Sequence, residues 1–349
     1  MSRIPAPRLD HLSRLTGQAG VFEHASALAP SESQGYTADD AARALILTIR
    51  WRPQTALTRR LSTTYLHFLA NAIDGSGRVR NRLDVDRGWV GPWSADAHGR
   101  AIWALCVAAV DAHSPLARDL AADRLERIAP LRDPSVRPWV YAGLGASCLL
   151  KSDRHHLVGT KIVNEVADRL PRPRPKGWMW PEPRLSYDNA RIPQCMLALG
   201  EVARRDHLVA DGLRLLTWLV AMEWSGGHFS FTPVGGRGPG EGPPAFDQQP
   251  LEATAMVDAC VAAWKVTGED RWAELAQAAA RWFVGLNDAG IPVYDSTTGA
   301  GHDGLSAGRI SANAGAESTI SALWALQQAR LFQREHAGSA NSAMEGRFP

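Results

Sequence analysis

The chain has 349 residues, 45% hydrophobic and 21% charged, with a formal net charge of +2. Such a length suits one large domain or two medium ones, and the composition is ordinary for a globular protein. With arginines scattered among acids and no basic stripe, nothing points to nucleic acid or an anionic membrane as a partner.

Thirteen tryptophans stand against five tyrosines. Indole has a broad apolar face and one N–H donor, so it suits sugar stacking as well as core packing. Cys106, Cys148, Cys195 and Cys260 each lie in an apolar helical run without metal-type spacing, and read as reduced core residues. The first twelve residues lack a signal-peptide core and no apolar run reaches spanning length, so a cytoplasmic protein with no membrane partner is expected.

Pro7 to Thr16 reads as a short helix ended by Gly17. Gly35 to Leu45 carries Tyr36, Asp39, Asp40 and Arg43 into an apolar helix that runs to Arg50. One carboxylate there can cap the helix; two are more than a cap needs. Thr55 to Ile73 is amphipathic. Trp93, Asp96, His98 and Arg100 open a second apolar helix through Val110, and aligning Arg100 on Arg43 places Asp96 on Asp39. Pro115 to Leu131 is amphipathic, and a third apolar helix, Trp139 to Leu150, is rich in Gly, Ala and Ser, which permits close helix contacts. After amphipathic Arg154 to Leu170, a proline-rich loop holds Trp178, Trp180 and Glu182. Tyr187, Asp188, Asn189 and Arg191 then open a fourth apolar helix, with Asp188 aligned on Asp40. Asp206 to Trp218 is amphipathic. A long Gly/Pro-rich loop from Ser225 to Asp247 reads as a flexible lid and delivers Asp247, Gln248, Gln249 and Glu252 to a fifth apolar helix ending at Val266. Glu269 to Asn287 is amphipathic, a loop carries His302 and Asp303, and Glu317 opens a sixth apolar helix to Phe332.

Six apolar helices, each following an amphipathic one at intervals of about 45 to 65 residues, form a repeat of one supersecondary unit. With no strand-dominated segment and no linker, the expectation is an all-α (α/α)6 barrel over residues 1–332, followed by a poorly ordered tail, 333–349. All inner helices then run the same way, and their N-termini form one cleft.

Carboxylates, amides and tryptophans converging there describe a carbohydrate site, since amides and acids bind hydroxyls and indoles stack on sugar rings. Asp40 and Asp188 are expected as the catalytic pair, because equivalent positions on the first and fourth inner helices lie opposite. A wide separation leaves room for a water and favours inversion. Tyr36, Asp39, Trp93, Asp96, His98, Trp180, Glu182, Tyr187, Asn189, Asp247, Gln248, Gln249, Glu252, Asp303 and Glu317 are expected to bind substrate. Arg43, Arg100 and Arg191 can instead pair with Glu252 and Glu317 in a structural ring below the site. Trp89 and Trp178 are further loop candidates for stacking. The run Gly235 to Gly240 is a poor P-loop, no metal-ligand spacing is present, and no cofactor is implied.

Gly35 to Leu45, Trp180 to Pro183 with Tyr187 to Arg191, Asp247 to Ala253 and Gly315 to Thr319 occur in an order that resembles uncharacterised bacterial proteins of the six-hairpin glycosidase-like superfamily. Those proteins are often labelled glycosyltransferase-associated. The resemblance covers nearly the whole chain and implies the barrel, a saccharide ligand and association with a glycosyltransferase or another sugar-active enzyme. It departs at Ala38 and Ala41, where the family carries threonine and asparagine, so position 41 is not read as a binding residue. Three functions compete. The first is a glycoside hydrolase acting on a bacterial oligosaccharide. The second is a sugar isomerase or epimerase, which needs a convergent histidine pair of which only His98 is present. The third is a non-catalytic glycan-binding or glycosyltransferase-accessory protein.

Overall fold

The computed structural model describes residues 4–174, 177–242 and 246–345. Twelve α-helices lie in this part of the chain: α1 Asp10–Leu15, α2 Ala38–Arg50, α3 Ala56–Ala72, α4 Ala95–Asp111, α5 Pro115–Arg127, α6 Val136–Ser152, α7 Leu157–Ala167, α8 Arg191–Ala203, α9 Asp206–Glu223, α10 Pro250–Thr267, α11 Asp270–Arg281 and α12 Ala316–Glu345. Local chemistry sets many of their ends. Thr55 and Thr58 form a reciprocal capping box at α3, and Ser94 accepts the Ala97 N–H at α4. Proline stands at the start of α5 and α10, and Gly268 ends α10 in the left-handed conformation.

Helices α2, α4, α6, α8, α10 and α12 pack each on the next, and α12 returns to α2, closing an inner ring. The inner position explains their composition: in α10 every residue from Pro250 to Val261 is buried. Small residues let the ring close tightly. A Cβ on Gly145 of α6 would stand 2.7 Å from the Trp103 Cα of α4. The outer helices α3, α5, α7, α9 and α11 pack on the inner helices that precede them in sequence. The sixth outer place is taken by α1, only six residues long, which packs against α12. His11 Nε2 is 2.8 Å from the Ala314 carbonyl, and Arg330 donates to the Ile4 carbonyl at 2.9 Å, so the N-terminal segment completes the last hairpin. The fold is the expected (α/α)6 barrel.

Two details differ from expectation. Helix α12 runs on to Glu345, so residues 333–345 of the expected tail continue the helix, while 346–349 lie outside the described residues. Short antiparallel pairings also organise the loops. The largest is a three-stranded sheet of Tyr36–Thr37, Arg82–Asp84 and Gly88–Val90, which pairs Tyr36 with Leu83 and Leu83 with Trp89. Among the described residues no helix is long and apolar enough to cross a membrane.

Candidate active site

The inner helices run in parallel, so their N-termini and preceding loops meet at one end of the barrel. A cavity of about 510 Å³ opens there. Asp39 and Arg43 of α2, Asp96 and Arg100 of α4, Glu317 of α12 and Leu251 of α10 line it, with Ser186, Tyr187, Gln249 and Val234 to Gly236 from the loops. Five residues expected to bind substrate therefore share one cleft: Asp39, Asp96, Tyr187, Gln249 and Glu317.

Three carboxylates compete for one cation on the α2–α12 side. Arg43 donates to Asp40 at 2.8 Å and to Glu317 at 2.7 Å, and lies 3.6 Å from Asp39. Thr37 donates its hydroxyl to Asp40 at 2.8 Å. Asp40 is the buried member, 3% exposed, beneath the cleft wall. Burial, then the charges of Asp39 and Glu317, push its carboxyl up to about 8 against the pull of Arg43. Asp39 is also penalised by burial, but Arg43 and Arg100 hold it below the usual carboxylate range. The two acids thus keep one proton near neutrality, held on Asp40, and Asp39 is the member that faces the cleft. Across the cleft, Tyr187 donates its hydroxyl to Asp96 at 2.6 Å, and the Tyr187 ring lies 4.6 Å from the Arg137 guanidinium. Burial and the charge of Asp96 raise the Tyr187 pKa, so the phenol stays a donor.

Asp188 does not line this cleft. It borders a separate cavity of about 20 Å³ beneath it, is 2% exposed, and accepts from Arg100 at 2.9 Å and Tyr141 at 2.8 Å, with Arg191 at 3.4 Å. Burial opposes its charge, but Arg100, Arg191 and Arg43 hold its carboxyl below the usual range. The alignment with Asp40 also fails in the backbone. Asp40 is in the first turn of α2, whereas Asp188 precedes α8 with φ +51, in the left-handed region that Asp and Asn enter more readily than most residues. That conformation is clamped by Glu252, which accepts the N–H groups of Asp188 and Asn189 and the Asn189 side-chain amide. Burial and the charges of Glu223 and Asp188 raise the Glu252 pKa while those N–H groups pull it down. The expected arginine ring exists in part: Arg43 pairs with Glu317 as expected, but Arg100 and Arg191 share Asp188, Arg191 reaches Asp258 at 2.5 Å, and Glu252 clamps backbone.

Other expected binding residues hold the loops. Tyr36 is buried, stacked on Phe22 at 4.4 Å. Trp180 is fully buried against Trp218 and donates to Glu182, which Arg137 grips at 2.6 Å. The sequence alone could not separate this core tryptophan from a stacking platform, because it sits in a proline-rich loop. Trp93 is exposed but meets the His98 ring edge-on and is not a lining residue. Buried His98 accepts the Val79 N–H at 3.3 Å through Nδ1, and its Nε2 lies 2.8 Å from the Ala129 carbonyl. These partners assign a neutral ring with the proton on Nε2, and burial lowers its pKa in agreement. Asn189 is buried between Glu252 and Arg137. Gln248 is buried, accepts the Trp282 indole N–H at 3.0 Å and donates to Asp288 at 2.6 Å. Asp247 is exposed at φ +71 and accepts from Ser306, while Asp303 accepts the Gly315 N–H at 2.7 Å.

The loop read as a flexible lid is pinned where it walls the cleft. Leu185 and Arg237 exchange both backbone hydrogen bonds, at 2.8 and 3.0 Å. Gly236 has φ +79, and a Cβ there would fall 2.0 Å from the Leu185 carbonyl oxygen, so only glycine fits. Residues 243–245 of the loop lie outside the described residues. The cleft role of Ser186, Val234, Gly235, Gly236 and Leu251 was missed; the only sequence signal was a Gly-Gly pair in a long loop. Among the described residues no group of three or more His, Cys, Asp or Glu is placed to hold a metal ion.

No protein-family model and no curated protein matches the chain. Solved structures do resemble it. A cellobiose 2-epimerase from Bacillus thermoamylovorans superimposes with a TM-score of 0.71 at 9% identity, over 94% of this chain and 96% of that one. A sugar epimerase from a ruminal bacterium gives 0.67 at 12% identity, over 91% and 94%. A GH76 α-mannanase from Bacteroides thetaiotaomicron gives 0.66 at 11% identity, over 94% and 95%. At these identities the likeness is one of fold.

Proposed function

We propose that the chain is a carbohydrate-active enzyme that cleaves a glycosidic bond in a small saccharide by carboxylate acid–base catalysis. The observation that carries this reading is the cleft wall on which Asp39, Asp40 and Glu317 share Arg43, with Asp96 held separately by Tyr187. Groups whose environments push their proton affinities apart are suited to acid and base roles. Asp40 keeps a proton near neutral pH, and its neighbour Asp39, which faces the cleft, takes up that proton as it protonates the leaving oxygen. Asp96, oriented by the Tyr187 hydroxyl across the cleft, is the carboxylate placed to activate water. Glu317 and Arg43 keep the pair's charge balance and bind sugar hydroxyls, as does Gln249. Asp188, expected from sequence as the second catalytic acid, takes a structural role here: its three donors leave it no free face toward the cleft.

Two features weigh against proton transfer at carbon in an isomerase or epimerase. No histidine is among the described lining residues, and His98 is spent on two backbone groups. The fold neighbours include epimerases as well as a mannanase, so the product decides. Incubation with cello-, manno- and malto-oligosaccharides, read by chromatography and reducing-end assay, tests the proposal. Shorter products that disappear in Asp96→Asn support it. Interconversion without cleavage, or binding without turnover, refutes it.

A further inference from the structure

Trp89, singled out from sequence as a loop tryptophan able to stack on a sugar, is not part of the cleft. It helps to line a separate groove of about 560 Å³ on the outside of the barrel, between α3 and the sheet of residues 82–90. The groove wall is aromatic. Phe68 meets the Trp89 ring at 5.3 Å and 53°, and the Arg80 guanidinium lies 4.5 Å over the indole, fixing its orientation. Around the wall stand Gln18, His67 and Asn71, all exposed. None of these three side chains, nor the Trp89 indole N–H, has a hydrogen-bond partner among the described residues. Among the described residues, no lining residue is an acid, a lysine or an arginine.

We infer that this groove is a second saccharide-binding site, for a neutral oligosaccharide. A fixed aromatic wall takes the C–H face of a sugar, and the amides and the indole N–H supply donors and acceptors matched to hydroxyls. A nucleotide, a phosphate or an acidic peptide would need cations on the lining, and the nearby Arg80 is engaged with the indole and with the Asn71 and Ala72 carbonyls. The site is joined to the cleft by one sheet. Trp89 pairs with Leu83, Leu83 pairs with Tyr36, and the strand Tyr36–Thr37 runs into α2 two residues before Asp39. A glycan held at Trp89 is thereby kept on the structural unit that carries the cleft acids.

The inference deepens the saccharide reading of the cleft, and the two fail separately. Protein labelled with 5-fluorotryptophan is titrated with cello-, manno- and maltotetraose, and the Trp89 fluorine resonance is assigned by its loss in Trp89→Phe. The expected result is that one of these saccharides moves the Trp89 resonance, and still does so in Glu317→Gln, whose cleft is altered. Asn71→Ala together with Gln18→Ala should weaken that binding by about tenfold, as loss of two neutral hydrogen bonds implies. A Trp89 resonance unmoved by all three saccharides overturns the inference. So does a response that vanishes in Glu317→Gln or keeps full affinity in the double alanine variant. Movement of Trp89 without turnover of any saccharide sinks the catalytic proposal and leaves this one standing.

Discussion

Replacing Asp188 with asparagine separates a buried structural charge from a reacting group. Asparagine keeps the shape and tolerates the left-handed backbone at φ +51, so the charge is the variable. In the native chain that charge is shared by Arg100 at 2.9 Å and Arg191 at 3.4 Å, with the Tyr141 hydroxyl at 2.8 Å. Removing one partner of a buried ion pair costs about 3–5 kcal/mol, because the remaining charges stay buried. At an unfolding entropy of about 2.1 cal/mol/K per residue, a chain of this length loses about 0.7 kcal/mol per degree, so Tm should fall by about 4–7 °C. Scanning calorimetry at pH 7, with urea denaturation as a check that m is unchanged, measures the loss. The pH dependence has a definite sign. The folded pKa of Asp188 is depressed, so its stabilisation is present above the unfolded value of about 3.9 and is lost as pH falls through the folded value. The gap between native protein and variant should close in that acidic range. A Tm within about 1 °C of the native protein, or a gap that persists in acid, refutes the reasoning; the former with turnover abolished would return Asp188 to the chemistry.

Three further variants have expected outcomes. Because the Asp40 carboxyl is pushed up to about 8, the basic limb of the pH–kcat profile should lie near that value and move to lower pH in Asp40→Asn, where Asp39 titrates without its neighbour's charge. The same raised pKa means that Asp40 favours the fold at low pH and loses that contribution as pH rises from about 4 through about 8, so Asp40→Asn should gain stability relative to the native protein at pH 9 but not below pH 4. Asp96→Asn should cut kcat by about a hundredfold or more while Tm, read by circular dichroism, shifts by no more than about 2 °C, since its hydrogen bond to Tyr187 is at the cleft surface. Gly236→Ala should cost about 1–3 kcal/mol in urea denaturation and raise KM, because the Leu185–Arg237 pairing that holds the cleft wall must open to admit the methyl group.

The barrel was legible because its signal is periodic and repeated: six apolar helices, with amphipathic helices between them, leave few ways to bury all the apolar faces. The short α1 was harder to place, since its position against α12 is a closure across the whole chain. In the cleft, the alignment of Asp96 on Asp39 held, because both occupy the second position of an inner helix. The alignment of Asp188 on Asp40 did not, because α8 starts three residues later and a left-handed turn directs the chain beneath the cleft. Motif residues such as Trp180, Asn189, Gln248 and Glu252 share the chemistry of sugar ligands, yet the same donors and acceptors fasten loops. Composition cannot distinguish these roles; only burial does.

The bond between Arg43 and Glu317 has a consequence for biosynthesis. It joins the first inner helix to the last, across 274 positions of sequence (317 less 43). During synthesis the early hairpins can stack as they emerge, but the ring has no closing partner until the sixth inner helix is made. The cleft is therefore the last part of the molecule to be assembled. A ribosome-bound chain halted before Glu317 should carry most of the helical content and none of the completed site, because a contact between such distant positions is won only after the rest of the chain is ordered.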